Sequence, residues 1–238
     1  MSAVVLEHVT RAYPGGVRAL DDVSLTVATG SFVAVMGPSG SGKSTLMHCA
    51  AGLDAPTSGR VVVGGAEIGA LSENRRTVLR RERVGFVFQA YNLVPALTVE
   101  ENVTLPLRLA GAATDRMWLE TLLERVGLAG LRNRRPAELS GGQQQRAAIA
   151  RALVTRPAVV FGDEPTGALD LRTAREVLAL LRDIVDGFGQ TVVMVTHDPG
   201  AAAHADRALV MADGRIVGIL DKPTAGDLAE RLTRLELP

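Results

Sequence analysis

Aromatic residues are scarce in this 238-residue chain: five Phe, two Tyr and one Trp, 3% in all. Its core must therefore rest on Val, Leu, Ile and Ala, for which the 47% hydrophobic content is ample. Cysteine occurs once, at Cys49, which excludes an internal disulfide and fits a reducing compartment. No apolar run approaches the ~18 residues of a membrane span, and the N-terminal stretch lacks a signal-peptide layout. Net charge is also missing: 26 basic residues balance 26 acidic ones, which argues against a broad nucleic-acid footprint. Lysine is nearly absent, with Lys43 and Lys222 set beside 24 arginines. These absences predict a soluble, cytoplasmic protein built as one large domain, whose membrane role, if it has one, comes through a partner.

What is present is a series of short β-branched runs: VVLEHV, VSLTV, SFVAVM, RVVVG, RVGFVF, AVVFGD, TVVMVT, RALVM and RIVGI. AVVF and VVMV are apolar throughout, as strands buried on both faces of a parallel sheet are. The stretch from about Thr98 to Leu153 reads as helices alone. The pattern predicts an α/β fold with a mostly parallel core sheet, early antiparallel strands and an inserted helical lobe. Residues 1–89 and 154–238 would form the core, and about 90–153 the lobe. TAGDLAERLTRLELP predicts one terminal helix.

Three segments carry chemistry. GPSGSGKS, residues 37–44, follows a strand-like run and precedes a helical one. This is the context a phosphate-binding loop requires. Gly37, Gly40 and Gly42 let the backbone curl with its N–H groups inward, and the next helix adds its positive end. Lys43 would reach the β- and γ-phosphates and Ser44 would bind Mg²⁺. In a chain that otherwise uses arginine, a lysine here suggests that a compact charge is needed rather than a planar fork. Next, AVVFGDEP ends a buried-type strand in Asp163-Glu164. Adjacent residues of an extended chain point apart, so Asp163 can serve Mg²⁺ while Glu164 faces an attacking water as general base. Finally, LSGGQQQR gives Ser140 and Gln143 capping-box spacing at a helix start. The two interior glycines each cost a helix about 1 kcal/mol relative to alanine. Something must therefore approach those amides closely.

Together these motifs resemble the nucleotide-binding subunits of ABC transporters, in family order and over nearly the whole chain. GPSGSGKS matches Walker A, Gln89 in VGFVFQAYNL the Q-loop, LSGGQ the signature, VVFGDEP Walker B, ALD with Asp170 the D-loop, and His197 in VMVTHD the switch histidine. The resemblance implies the P-loop NTPase fold of ABC ATPases, ATP and Mg²⁺ as ligands, and hydrolysis by Glu164, His197, Gln89 and Lys43. It implies that Gly37, Pro38, Ser39, Gly40, Ser41, Gly42, Lys43, Ser44 and Thr45 hold the phosphates, and that Tyr13 stacks on the base. Ser44, Gln89 and Asp163 would hold the metal. Ser140, Gly141, Gly142, Gln143 and Asp170 would act on nucleotide held by a second subunit, in a head-to-tail dimer. That answers the glycine pair with a partner's γ-phosphate.

The segment RRERVGFVFQAYNLVPALTVEENVTLPL and DEPTGALD resemble the LolD, MacB and FtsE-like branch. The branch implies a permease with few membrane helices and a large extracytoplasmic domain, with the ATPase peripheral on the cytoplasmic face. Lipoprotein, peptide or drug extrusion is the expected work. Control of cell-wall hydrolysis through a non-transporting permease is the alternative, and a soluble ATPase acting on nucleic acid or ribosomes a remote one. Residues 75–83 hold a cluster of five arginines, read as a solvated face, and Trp118 is read as core.

Overall fold

The computed structural model describes residues 1–69 and 71–236. Two sheets organise them. Strands β1 (Ser2–Ala12), β2 (Arg18–Ala28), β4 (Ser58–Val63) and β5 (Ala66–Glu67) form an antiparallel sheet in the order β2-β1-β4-β5. The second sheet has the order β10-β9-β3-β8-β7-β6. Its strands are β3 (Phe32–Met36), β6 (Val84–Phe88), β7 (Val159–Asp163), β8 (Val192–Val195), β9 (Arg207–Ala212) and β10 (Arg215–Asp221). All its pairs are parallel except β9 with β10. The apolar runs read as two-face-buried strands, in β7 and β8, lie at positions inside this parallel sheet, and every residue of β8 is buried.

Helix α1 (Lys43–Ala50) lies between the sheets. Its Leu46, Met47 and Cys49 join a core with Leu6 and Val61 of the antiparallel sheet and Val35, Phe161 and Val195 of the parallel one. Burial pushes the Cys49 thiol up to about 12. The opposite face of the parallel sheet carries the larger core. It is built with α3 (Val99–Ala110), α4 (Arg116–Arg125), α5 (Gly141–Leu153) and α6 (Leu171–Phe188), and with Ala201 and Ala202 of the short α7 (Pro199–Ala202). Between β6 and β7 the described elements are helical: α3, α4, α5 and two 3₁₀ turns at Ala129–Leu131 and Pro136–Glu138. The C-terminal α8 (Ala225–Glu236) docks through Leu228; Leu237 and Pro238 of the expected tail helix lie outside the described residues.

Local chemistry explains where α3 and α5 begin. Thr98 and Glu101 form a capping box on α3, and Ser140 and Gln143 form the one anticipated on α5. α5 then presses on β6 so closely that a Cβ at Gly85 would stand 2.4 Å from the Ala152 carbonyl oxygen. α3 is tied to the segment before it by fully buried Asn102. The Asn102 Oδ1 accepts from Val94 N (2.7 Å), and Nδ2 donates to the carbonyls of Val94, Leu97 and Thr98 at 3.0–3.1 Å.

The arginine cluster corrects the sequence expectation. It forms α2 (Glu73–Arg83), in which Arg76 pairs with Glu73 and Arg80 donates both to Glu73 and to the Gly52 carbonyl. Arg80 thus turns inward against the loop after α1 and Arg76 is half-buried beside Glu73, while Arg75, Arg81 and Arg83 remain exposed. Trp118 is half-buried at the rim of the larger core. It meets Phe188 edge-on at 5.2 Å, and the Arg156 guanidinium lies 4.9 Å over its ring.

Asn102→Ala is expected to cost about 1–3 kcal/mol of stability, because it strands the Val94 amide it now satisfies. Urea denaturation of the two proteins measures the difference; equal midpoints would contradict the role given to Asn102.

Candidate functional site

In the parallel sheet Phe88 pairs with Asp163, Asp163 with Val195, and Val195 with Val35. The residues that follow these four, at the carboxyl ends of the strands, therefore share one edge, the usual binding edge of an open α/β sheet. They are Gln89, Glu164, Thr196-His197 and the loop that starts at Met36-Gly37. Glu164 N donates to the Val195 carbonyl (2.9 Å) and Thr196 N to the Val35 carbonyl (3.1 Å), which extends the register one step past the strands.

The loop after β3 depends on two glycines. Gly37 and Gly42 have φ of +151° and +98°. A Cβ on either would stand 2.2–2.3 Å from a carbonyl oxygen, that of Met211 or Ala19. The backbone is thus wedged between β9 and β2, and it delivers Lys43 and Ser44 at the first turn of α1. Lys43 Nζ donates back to the carbonyls of Gly37 (2.9 Å) and Pro38 (2.7 Å). Its pKa is lowered by burial, against the counter-pull of Glu164 and Asp163. The Asp163 carboxyl is raised by burial and by Glu164, with His48 and Lys43 opposing. A cation and two carboxylates therefore share one partly desolvated site.

Glu164 carries a backbone φ of +46°, unusual for a side-chain-bearing residue. Its carboxylate lies 2.8 Å from His197 Nδ1. Gly167 closes the same turn, donating its N–H to the Glu164 carbonyl (3.0 Å). A Cβ on Gly167 would stand 3.0 Å from Gln89 Nε2 and 3.3 Å from Glu164 Oε2. Gly167 thus leaves open the space that the ends of the Gln89 and Glu164 side chains both border. Sequence reasoning passed over it, although its glycine in DEPTG was the available signal.

The structure brings Lys43, Gln89, Asp163, Glu164 and His197 to one edge. It does not bring Tyr13 or the signature segment there. Tyr13 donates its hydroxyl to Asp54 (2.9 Å), beyond the far end of α1, and Arg11 lies 4.6 Å over its ring. The glycines after Ser140 pack within their own chain. A Cβ on Gly142 would stand 2.3 Å from the Thr173 methyl, and one on Gly141 2.8 Å from the Tyr91 hydroxyl. Close approach thus favours glycine at 142 before any partner is considered, while at 141 the near atom is the tip of the Tyr91 side chain, which can shift. Asp170 caps α6, accepting from Thr173 Oγ1 (2.6 Å) and from the amides of Arg172 and Thr173. These bonds, that of the Thr173 side chain first, lower its carboxyl pKa.

Gly142→Ala should lose about 1–3 kcal/mol through this clash, and adding Thr173→Ser, which removes the methyl and keeps the hydroxyl, should return most of it. Chemical denaturation of the single and double variants checks the pair. Asp163→Asn should melt higher than the native chain at neutral pH without nucleotide. A raised carboxyl pKa means that the charged form costs stability. The advantage therefore grows as pH rises through that pKa and disappears below the ordinary aspartate range. Thermal melts across pH test this; a difference that is flat with pH would contradict it.

A model of the ABC transporter family matches residues 20–167. The chain is 47% identical over 221 residues to a lipoprotein-releasing system ATP-binding protein, LolD, of Bordetella avium, covering 91% of this chain and 96% of that one. It is 49% identical over 218 residues to a macrolide export ATP-binding/permease protein, MacB, of Burkholderia pseudomallei, covering 90% of this chain. The chain spans about a third, 33%, of that MacB relative's length. Among solved structures it resembles an ATP-binding cassette captured as a dimer in a post-hydrolysis state with ADP and Pi. The TM-score is 0.81 at 40% identity, over 92% of this chain and 98% of that one. With the phosphate loop, the paired carboxylates and the signature helix set in a cassette fold, the chain belongs to the ABC transporter family, among its ATP-binding, ATP-hydrolysing components.

Proposed function

We propose that this chain powers a separate membrane permease by hydrolysing MgATP in a head-to-tail dimer. The observation that carries the reading is the meeting of Lys43, Gln89, Glu164 and His197 at the ends of adjacent parallel strands. The loop from Gly37 to Thr45 suits a triphosphate: a Cβ at Gly37 or Gly42 would obstruct its fold, and the first turn of α1 turns its amides toward an anion. Lys43 exchanges its loop carbonyls for β- and γ-phosphate oxygens. Ser44, Gln89 and Asp163 offer hard oxygen donors for Mg²⁺. No group of three or more His, Cys, Asp or Glu able to hold a metal occurs among the described residues, so the ion would be held jointly with the phosphates. When bound, Mg²⁺ supplies neutralisation of phosphate charge.

Glu164 takes the proton of the attacking water. His197, 2.8 Å from its carboxylate, orients that base. The family position assigns Tyr13 to the base, a role that would require its ring to leave Asp54, to which its hydroxyl donates at the far end of α1. Ser140, Gly141, Gly142, Gln143 and Asp170 complete the second copy's site, a reading supported by likeness to a cassette captured as a dimer. Residues 1–89 and 154–238 act as the core and about 90–153 as a lobe whose leading stretch, Ala90 to Glu101, meets the permease.

The partner we propose is a permease with few membrane helices and a large extracytoplasmic domain; the names of the lipoprotein-releasing and macrolide-export relatives support cargo of lipoprotein, peptide or drug type. No described helix is long and apolar enough to cross a membrane, and the chain is assigned to the cytoplasmic face through that permease.

Glu164→Gln should bind MgATP and dimerise while hydrolysing ~10²–10⁴-fold more slowly. Phosphate release measures the rate, and near-normal turnover would remove Glu164 from the role. The same variant, recovered with MgATP from gently solubilised host membranes, should bring a permease with it. An intact dimer that recovers no membrane protein would defeat the transport reading.

A further inference from the structure

Gln145 is fully buried in the first half of α5. Its Nε2 donates to the Phe88 carbonyl (3.2 Å) and to the Pro165 carbonyl. Its Oε1 is buried with no partner. The orientation is fixed by chemistry, since exchanging the two amide atoms would set an oxygen against two carbonyl oxygens. An apolar side chain of similar length would fill this space without a stranded Oε1, at the cost of the Pro165 carbonyl's donor. Packing alone therefore does not account for an amide here.

The two carbonyls explain it. Phe88 immediately precedes Gln89, and Pro165 immediately follows Glu164. One amide thus clasps the main chain beside both side chains that flank the Gly167 gap. Farther along α5, half-buried Arg151 donates to the Tyr91 carbonyl (2.8 Å) and to that of Asn92, on the other side of Gln89. Gln89 is bracketed from one helix, and Glu164 is tied to the same helix. That helix begins at the signature segment, whose Ser140 caps it.

We propose that Gln145 is a positioning residue for hydrolysis. It sets the spacing of Gln89 and Glu164 and joins that pair to the helix whose N-terminus carries Ser140–Gln143. The role rests on the reading of Glu164 as general base. Gln145 acts through main-chain carbonyls and touches no phosphate-loop residue in its hydrogen bonding, so it bears on turnover and not on nucleotide affinity.

The test is a double-mutant cycle on the full chain with Gln145→Leu and Glu164→Gln, read by steady-state ATPase activity and by the affinity for a fluorescent ATP analogue. Gln145→Leu should lower kcat by about tenfold to a hundredfold, as displacement of a catalytic group does. Its analogue Kd should stay within about twofold of native, and in the Glu164→Gln background the same change should alter the residual rate by less than about twofold. Should Gln145→Leu fold poorly, Gln145→Met, unbranched and of nearly the same length, is read in the same way. Equal losses in both backgrounds, or kcat loss matched by loss of affinity, would mean that the amide only holds the fold together and would overturn the proposal. A silent Gln145→Leu beside an inactive Glu164→Gln would overturn this inference alone. Normal turnover of Glu164→Gln by itself would remove the general base and this role with it.

Discussion

Hydrogen bonding between β6, β7, β8 and β3 sets Phe88, Asp163, Val195 and Val35 abreast, and the site depends on that register. Side chains alternate along a strand, so a slip of one residue in any pair would turn its candidate site residue to the other face. The register is protected by burial: all of β3 and β8 and nearly all of β7 lie inside the protein. The site inherits its precision from apolar residues that take no part in the chemistry.

Helix α5 is the second organising element. It seals on β6 at Gly85, where backbone meets backbone, and its polar residues reach the loops on either side of Gln89. Its first turn is hemmed in by Tyr91 and Thr173. A helix rich in small residues thereby links the Q-loop, the Walker B turn and the start of α6. Gln145 and Arg151 reach out with long side chains for this, and the seal on β6 is made at backbone range at Gly85.

The sequence made legible what lies contiguous in the chain. The phosphate loop, the Asp163-Glu164 pair and the cap at Ser140 are short motifs whose chemistry is set by neighbours within a few residues, whereas the capping of α6 by Asp170 went unread. The apolar strands were readable because burial on both faces leaves no polar alternation. Contacts between distant segments were not readable. Thr173 against Gly142, Tyr91 against Gly141 and Gln145 against Phe88 and Pro165 join residues far apart in the chain. No local pattern marks them, and Gln145 hides within a run of three glutamines. The expectation of a solvated arginine face missed Arg76 and Arg80, because long side chains can fold back under a helix while their neighbours stay in water. Tyr13 was identified by its family position, but its bond to Asp54 joins segments that only the fold brings together.

The lone cysteine has a practical side. Cys49 is buried between the sheets and its thiol is pushed up to about 12, so at neutral pH it is neither reachable nor nucleophilic. The folded chain is therefore expected to react slowly with thiol-directed reagents. A cysteine introduced at a chosen surface position would carry a spin label or fluorophore without first stripping the protein of its own, and the spacing between two copies could be followed through one engineered site per chain.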